Sequence, residues 1–353
     1  MTMNTHLNIA TKAVLAIAAI AAAVPAWAQE KKEESKMPAI HGTIRSKYEY
    51  QTEDGEGRFE VRNARISVDG KVTPIVAYKA EIDLCDEGSI KMLDAYTRIT
   101  PAKSLAVTVG QMRVPFTIDA HRSPNQQYFA NRSFIAKQVG NVRDVGAALA
   151  YNLDAGFPIK LEAGIFNGSG LTNQKNYWTK SVNFSAKAQM FFPHGFNLTL
   201  SVQKIKPDHV NVLMYDAGAY YHANGLHIEG EFLYKHYGQN AYHDVIAANA
   251  FASYDIPIRK QCALKCITPL VRYDYMGDHS DGSRYLDGAT NKSGVLTTND
   301  YKRSRITGGL TFSLSKPFVS DIRLNYEKYL YREGAIAKAS ERDKIVLEIM
   351  TRF

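Results

Sequence analysis

Apolar and polar residues alternate along most of the chain from His41 onward, and the pattern is plainest in the last ten residues. Ile345, Leu347, Ile349, Thr351 and Phe353 share one parity, while Lys344, Val346, Glu348, Met350 and Arg352 share the other. Successive side chains of a strand point to opposite faces, so this segment has one apolar face and one largely charged face. No helix or loop follows to cover the apolar face, and the expectation is that it meets lipid. The same alternation predicts strands near His41–Tyr50, Arg58–Val72, Ile75–Leu84, Lys91–Thr100, Leu105–Val114, Asp144–Leu153, Ile159–Phe166 and Lys180–Phe192. Others are expected near Phe196–Lys206, Val212–His222, Leu226–Tyr237, Tyr242–Ile256, Ile267–Met276, Arg303–Leu314, Val319–Leu330 and Asp343–Phe353. The fold class is therefore all-β: a transmembrane antiparallel barrel of about sixteen strands.

The connectors alternate between short and long. Thr73-Pro74, Pro101-Ala102-Lys103, Asp154–Pro158, Pro193-His194-Gly195, Ala223-Asn224-Gly225 and Lys316-Pro317 hold turn residues. Phe116–Arg143, Asn167–Thr179, Gly277–Lys302 and Tyr331–Arg342 are longer. Short periplasmic turns and long surface loops give this rhythm, with both chain ends on the periplasmic side. The connector Phe116–Arg143 is the third surface loop by this count. Its Phe116, Tyr128, Phe129, Phe134, Ile135 and Val139 need something to pack against, and the inner wall is the place available. Its Arg122, Arg132, Lys137 and Arg143 against Asp119 make it a positive constriction loop; packing over the mouth alone is the plainer alternative.

The N-terminus points to export. Residues 1–28 carry one charged side chain, Lys12, then the apolar run Ala13–Val24 and the small-x-small site Ala26-Trp27-Ala28. This is the pattern of a cleaved secretory signal peptide. Residues 29–40 read as a short periplasmic leader and 41–353 as one barrel. No later segment holds eighteen consecutive apolar residues, which excludes a helical membrane bundle. Tyr outnumbers Phe, 21 to 15, as suits aromatic belts at the two membrane interfaces. Cys85, Cys262 and Cys266 make no disulfide framework; Cys262 and Cys266 could pair only if the chain turns between them.

Several segments then suggest a family. Val109-Gly110-Gln111-Met112-Arg113-Val114-Pro115-Phe116 resembles a strand end of the phosphate-selective porin O/P family. Arg62-Asn63-Ala64-Arg65-Ile66, Leu93-Asp94-Ala95-Tyr96, Asn131-Arg132-Ser133-Phe134 and Val142-Arg143-Asp144-Val145-Gly146 resemble further landmarks in the expected order. The family's frequent Arg-Arg pair is Arg62-Asn63 here, and its common Lys after Gly-Gln-Phe is Arg113. The resemblance implies a sixteen-stranded, usually homotrimeric outer-membrane porin of Gram-negative bacteria with an inward-folded third loop. It also implies phosphate uptake past basic side chains. The terminal strand ending in Phe353 is similar to the signal that hands such chains to the barrel-assembly machinery.

Strand parity assigns a lumen face. Arg45, Arg65, Lys79, Arg98, Arg113, Arg305 and Arg323 fall on it, interspersed with acids such as Glu49, Glu81, Asp94, Glu327 and Glu348. Without residues 1–28 the chain has 42 basic against 35 acidic side chains. A positive loop in a narrow, low-dielectric channel raises the local anion concentration, and guanidinium groups bind oxyanions through paired bonds. The expected function is passive diffusion of small hydrophilic solutes with a modest preference for anions such as phosphate. A non-selective pore is the first alternative, and a lipase-like barrel enzyme or a soluble secreted β protein are further ones. No Gly-x-Ser-x-Gly, Gly-x4-Gly-Lys or His-Glu-x-x-His motif occurs. Asp278-His279-Ser280-Asp281 lacks calcium-loop spacing. No enzyme activity, cofactor, metal or nucleic-acid partner is expected.

Overall fold

The computed structural model describes residues 37–86, 88–138, 142–171, 174–207, 210–259, 262–282 and 296–353. The expected signal peptide and Val139 lie outside them. The strands are β1 (Ala39–Gln51), β2 (Gly57–Thr73), β3 (Val76–Asp86), β4 (Ser89–Ala102), β5 (Leu105–Arg113), β6 (Arg143–Asp154), β7 (Pro158–Phe166) and β8 (Asn183–Phe191). They continue as β9 (Phe196–Ile205), β10 (Val212–Ala223), β11 (Leu226–Tyr237) and β12 (Val245–Tyr254), which the two-residue Ile256–Pro257 extends beyond Asp255. The last four are β13 (Cys266–Met276), β14 (Arg303–Ser313), β15 (Ser320–Tyr331) and β16 (Lys344–Arg352). Each strand pairs antiparallel with the next, and β1 pairs with β16 from Thr43↔Arg352 to Gln51↔Lys344. The sheet is thus a closed sixteen-stranded barrel.

Closure is what lets such a sheet sit in hydrocarbon, where an unpaired strand edge has no water to bond. Burial confirms which face looks out. In β16, Ile349 is 54% exposed while Glu348, on the opposite parity, is 0% exposed. Across the molecule Arg45, Arg305, Arg323, Glu327 and Asp274 are buried, and Ile44, Leu324, Ile345 and Leu347 are exposed. This inverts the arrangement of a water-soluble protein. No described helix is long and apolar enough to cross a membrane; the strands cross instead.

Turn chemistry explains the short rim. Asn224 (φ 52°) and Gly225 (φ 81°) form a two-residue hairpin with both residues left-handed, a conformation Asn-Gly reaches at low cost. Strand ends match the sequence expectation or differ from it by at most three residues. β8 starts at Asn183 rather than Lys180 because Thr179 Oγ1 bonds both the N–H and the carbonyl of Ser181, making a local turn. Arg143 corrects the loop boundary: it opens β6, opposite Arg113, and is not a loop residue. All three cysteines are free thiols, Cys262 being exposed and Cys266 buried.

The chain terminus is built into the seam. Gly42 and Phe353 exchange backbone bonds of 2.8 and 3.1 Å, and the Phe353 ring lies over Gly42, where an added Cβ would meet it at 2.0 Å. Gly42→Val should displace this ring and lower stability by about 1–3 kcal/mol. The test is the temperature at which the folded band converts in a heat-dependent gel shift; an unchanged midpoint would count against the packing role.

Candidate functional site

The segment between β5 and β6 carries the site. Its base is closed by Val114 N–H bonding Val142 O at 3.0 Å. From there it is bonded to inward-parity residues of eight strands, β5 among them through Arg113, which donates to carbonyls of the segment. Ser185 Oγ on β8 donates to Pro115 O (2.7 Å), and Thr117 N–H donates to Ser201 Oγ on β9 (3.1 Å). Ile118 N–H donates to Glu231 on β11 (2.5 Å), and the Arg122 guanidinium forks onto Glu229 of the same strand. Farther along, Arg45 on β1 donates to Gln127 Oε1 (2.8 Å) and Ala130 O (2.6 Å). Asn325 on β15 accepts from Ala130 N–H (2.9 Å). Arg272 on β13 and Arg305 on β14 donate to the carbonyls of Asn131 (3.0 Å) and Arg132 (2.6 Å).

The apolar residues of the segment explain the rest of its path. Phe134 and Ile135, in the short helix α1 (Phe134–Gln138), are fully buried in one cluster with Met214, Leu233, Tyr237, Val245 and Met276. The Arg303 and Arg305 guanidinium groups stack on Phe134 at 4.5 and 4.7 Å. Internally the segment is held by Asp119, which accepts the N–H (3.0 Å) and hydroxyl (2.8 Å) of Ser133. Burial alone would raise the Asp119 carboxyl, but Arg132, Arg122 and Arg272 hold it at about 2, so it stays ionised. Sequence parity missed this clamp, because Asp119 and Ser133 lie in irregular backbone with no period to read.

The wall formed by β1–β5 leaves space beside the segment. A cavity of about 120 Å³ towards the long-loop rim is lined by eight basic residues: Arg45, Lys47, Arg58, Arg62, Arg65, Arg132, Lys137 and Lys344. Its acids are only Glu49 and Glu60. A second cavity of about 240 Å³ shares Arg65 and Pro124 with the first and adds Lys79, Arg352, Asp69 and Glu81. A third of about 230 Å³ shares Lys79 and Ser123 with the second and adds Arg98, Arg113, His121, Asp94 and Glu162. They follow one another along the β1–β5 wall.

The expected site residues divide accordingly. Arg45, Arg65, Arg132 and Lys137 line the first cavity, and Lys79, Arg98 and Arg113 the others. Arg305 and Arg323 point inward but are sealed, bonded to Asp274 and Glu348. Arg122 is spent on Glu229, and Arg143 on Asp94 (2.7 Å) and Glu81 (3.2 Å). Arg113 and Arg132 differ from the others in that their head-group bonds go to carbonyls. Arg113 donates to His121 O (2.8 Å) and Arg122 O (2.7 Å), and Arg132 to Asp119 O (2.5 Å) and Arg122 O (2.7 Å). Burial, partly offset by Asp119 and reinforced by Arg65, Arg45 and Arg143, pulls the pKa of Arg132 down to about 9.

A family model, phosphate-selective porin O and P, matches residues 40–238. The chain belongs to this family. It is an outer-membrane porin, a channel protein of the Gram-negative outer membrane. Among solved structures, the anion-selective porin from Comamonas acidovorans superposes with a TM-score of 0.61 at 10% identity, covering 90% of this chain and 99% of that one. The outer-membrane channel DcaP of Acinetobacter baumannii gives 0.60 at 14% identity, with 92% and 99% covered. OmpT of Vibrio cholerae, in its trimer form, gives 0.58 at 11%, with 90% and 98% covered. At these identities the likeness is one of fold. No curated protein matches the porin in sequence.

Asp119→Asn should weaken the clamp by about 1–3 kcal/mol, since the Ser133 bonds become neutral and Arg122 and Arg132 lose a charge partner. Planar-bilayer recordings should then show noisier open-channel current at unchanged mean sign of selectivity; current as quiet as wild type would sink this role.

Proposed function

We propose that the porin passes small hydrophilic solutes with a preference for anions, oxyanions such as phosphate among them. In this reading the segment between β5 and β6 folds into the lumen and forms the constriction against the β1–β4 wall. The observation that carries it is the eight-to-two excess of basic over acidic side chains around the first cavity, with Arg132 bonded only to neutral carbonyls. A permeating anion would meet fixed cations in a space with little water, where each is worth more than at an open surface. The name of the family and the anion-selective neighbour from Comamonas acidovorans point the same way. The leader 1–28 is read as removed on export. The trimer form of OmpT supports, for this chain too, a homotrimer. The terminal strand ending in Phe353 is the segment by which assembly machinery would take the chain.

A second reading has one observation behind it. Many wall cations are already paired, as in Arg45–Glu348, Lys79–Asp94 and Arg65–Asp83, which suits a general diffusion pore. The zero-current potential across a bilayer in a salt gradient separates the two, with anion preference expected. Replacing Arg65, Arg132 and Lys137 together by Gln should lower the anion-to-cation permeability ratio roughly tenfold at low salt, from about 0.5–1 kcal/mol per charge. The effect should shrink at high salt. Unchanged selectivity would place the constriction elsewhere.

A further inference from the structure

The outer face of the barrel is not uniformly convex. Across β6–β11 lies an open groove of about 760 Å³ whose floor is Ala163, Ala186, Ala188 and Ala217. The register puts these small residues side by side: Ala163 opposite Ala186, Ala186 opposite Val202, and Ala217 opposite Leu200. Leu149, Tyr151 and Leu161 wall it on one side, and Tyr215, Phe232 and Tyr234 on the other. The groove faces hydrocarbon, so whatever fills it there is apolar.

The rim above the groove has a different chemistry. Lys204 stands on the same outward parity as the groove residue Val202, one pleat nearer the long-loop rim, or about 7 Å along the strand. Its ammonium does not reach a carboxylate for its two hydrogen bonds; they go to Ser181 Oγ (2.8 Å) and Val182 O (3.2 Å). The charge acting on it is another cation, Lys206. Lys180, exposed, precedes the Ser181 that holds the Lys204 ammonium. Trp178, two residues earlier, is 92% exposed, and Trp at this level belongs to the headgroup layer. On the far side of the groove the acid of the rim, Asp244, is engaged by Tyr234 Oη and by His236 Nδ1 at 2.7 Å.

The geometry points to a binding site for a phosphorylated, acylated lipid of the outer leaflet. Its acyl chains would lie in the groove, and its phosphate would be held by Lys180, Lys204 and Lys206 under Trp178. Charge complementarity selects this occupant over a second copy of the chain, because apolar packing of another barrel in the groove gives no use to the three lysines above it, whereas a phosphate does. The site is separate from the lumen, so it stands or falls independently of ion selectivity.

The test uses the purified full-length porin in detergent. Native mass spectrometry counts lipid retained from bis-phosphorylated lipid A, from the same lipid without phosphate, and from phosphatidylcholine. The wild-type protein should retain the phosphorylated lipid preferentially. The triple variant Lys180→Gln, Lys204→Gln, Lys206→Gln should lower its apparent affinity at least tenfold, and Lys302→Gln at a distant rim position should not. Ala163→Leu with Ala217→Leu, filling the floor, should reduce retention with or without phosphate. Heat-dependent gel shift and conductance should be unchanged throughout. Equal retention of phosphorylated and phosphate-free lipid, or wild-type affinity in the lysine variant, would overturn the proposal. So would loss of oligomer in the alanine variant with lipid retention intact, since that assigns the groove to a second copy.

Discussion

The seam between β1 and β16 is the interaction on which the rest depends. In hydrocarbon, open edges would leave two rows of amides without partners, at a cost of several kcal/mol each. The ladder from Thr43↔Arg352 to Gln51↔Lys344 removes them. The same two strands are stitched inside the lumen by Arg45–Glu348 and Lys344–Glu49. Arg45 has a further duty, since it also donates to Gln127 and Ala130 of the segment after β5. One buried guanidinium therefore ties barrel closure to loop position. Removing it would leave Glu348 sharing Arg323 alone among the head groups bonded to it.

The distribution of those ties makes the lumen lopsided. Strands β8, β9, β11 and β13–β15 hold the segment through bonds and apolar packing, and their basic residues Arg272, Arg305 and Arg323 are consumed in carboxylate pairs. The β2–β5 wall is left facing space, and the basic residues there line it. Inward position and availability to a solute are thus different properties. Arg305 has the first without the second, while Arg132, bonded to carbonyls, lines the first cavity.

Much of the barrel was legible in the sequence because lipid imposes a period of two on every strand. Leu226–Tyr237 matches its strand end to end, and Arg45, Lys79 and Arg98 sit on the inward face that parity assigns. The misses fall where period no longer applies. Lys180 and Tyr242 alternate like strand residues but lie in local turns. Arg143 falls one residue outside the expected strand because its pairing with Arg113, which alternation does not show, sets where the β6 ladder begins. The Asp119–Ser133 clamp, the Gln127 contact and the Arg272–Asp274–Arg305 cluster depend on which strands a long irregular segment touches. That is a property of three-dimensional closure, and alternation is silent on it.

Those long-range ties also order events in time. Eleven strands follow the segment after β5 in the chain, and its partners include Asn325 and Glu327, nearly two hundred positions later. Contacts so remote in sequence form late. Until β13–β15 arrive, Ala130, Asn131 and Arg132 lack their partners Asn325, Arg272 and Arg305, although Arg45 and Lys47 of β1 are already in the chain. Assembly must therefore pass through a stage in which that segment lacks part of its anchorage, and its final seating is acquired with the last strands rather than inherited from the first.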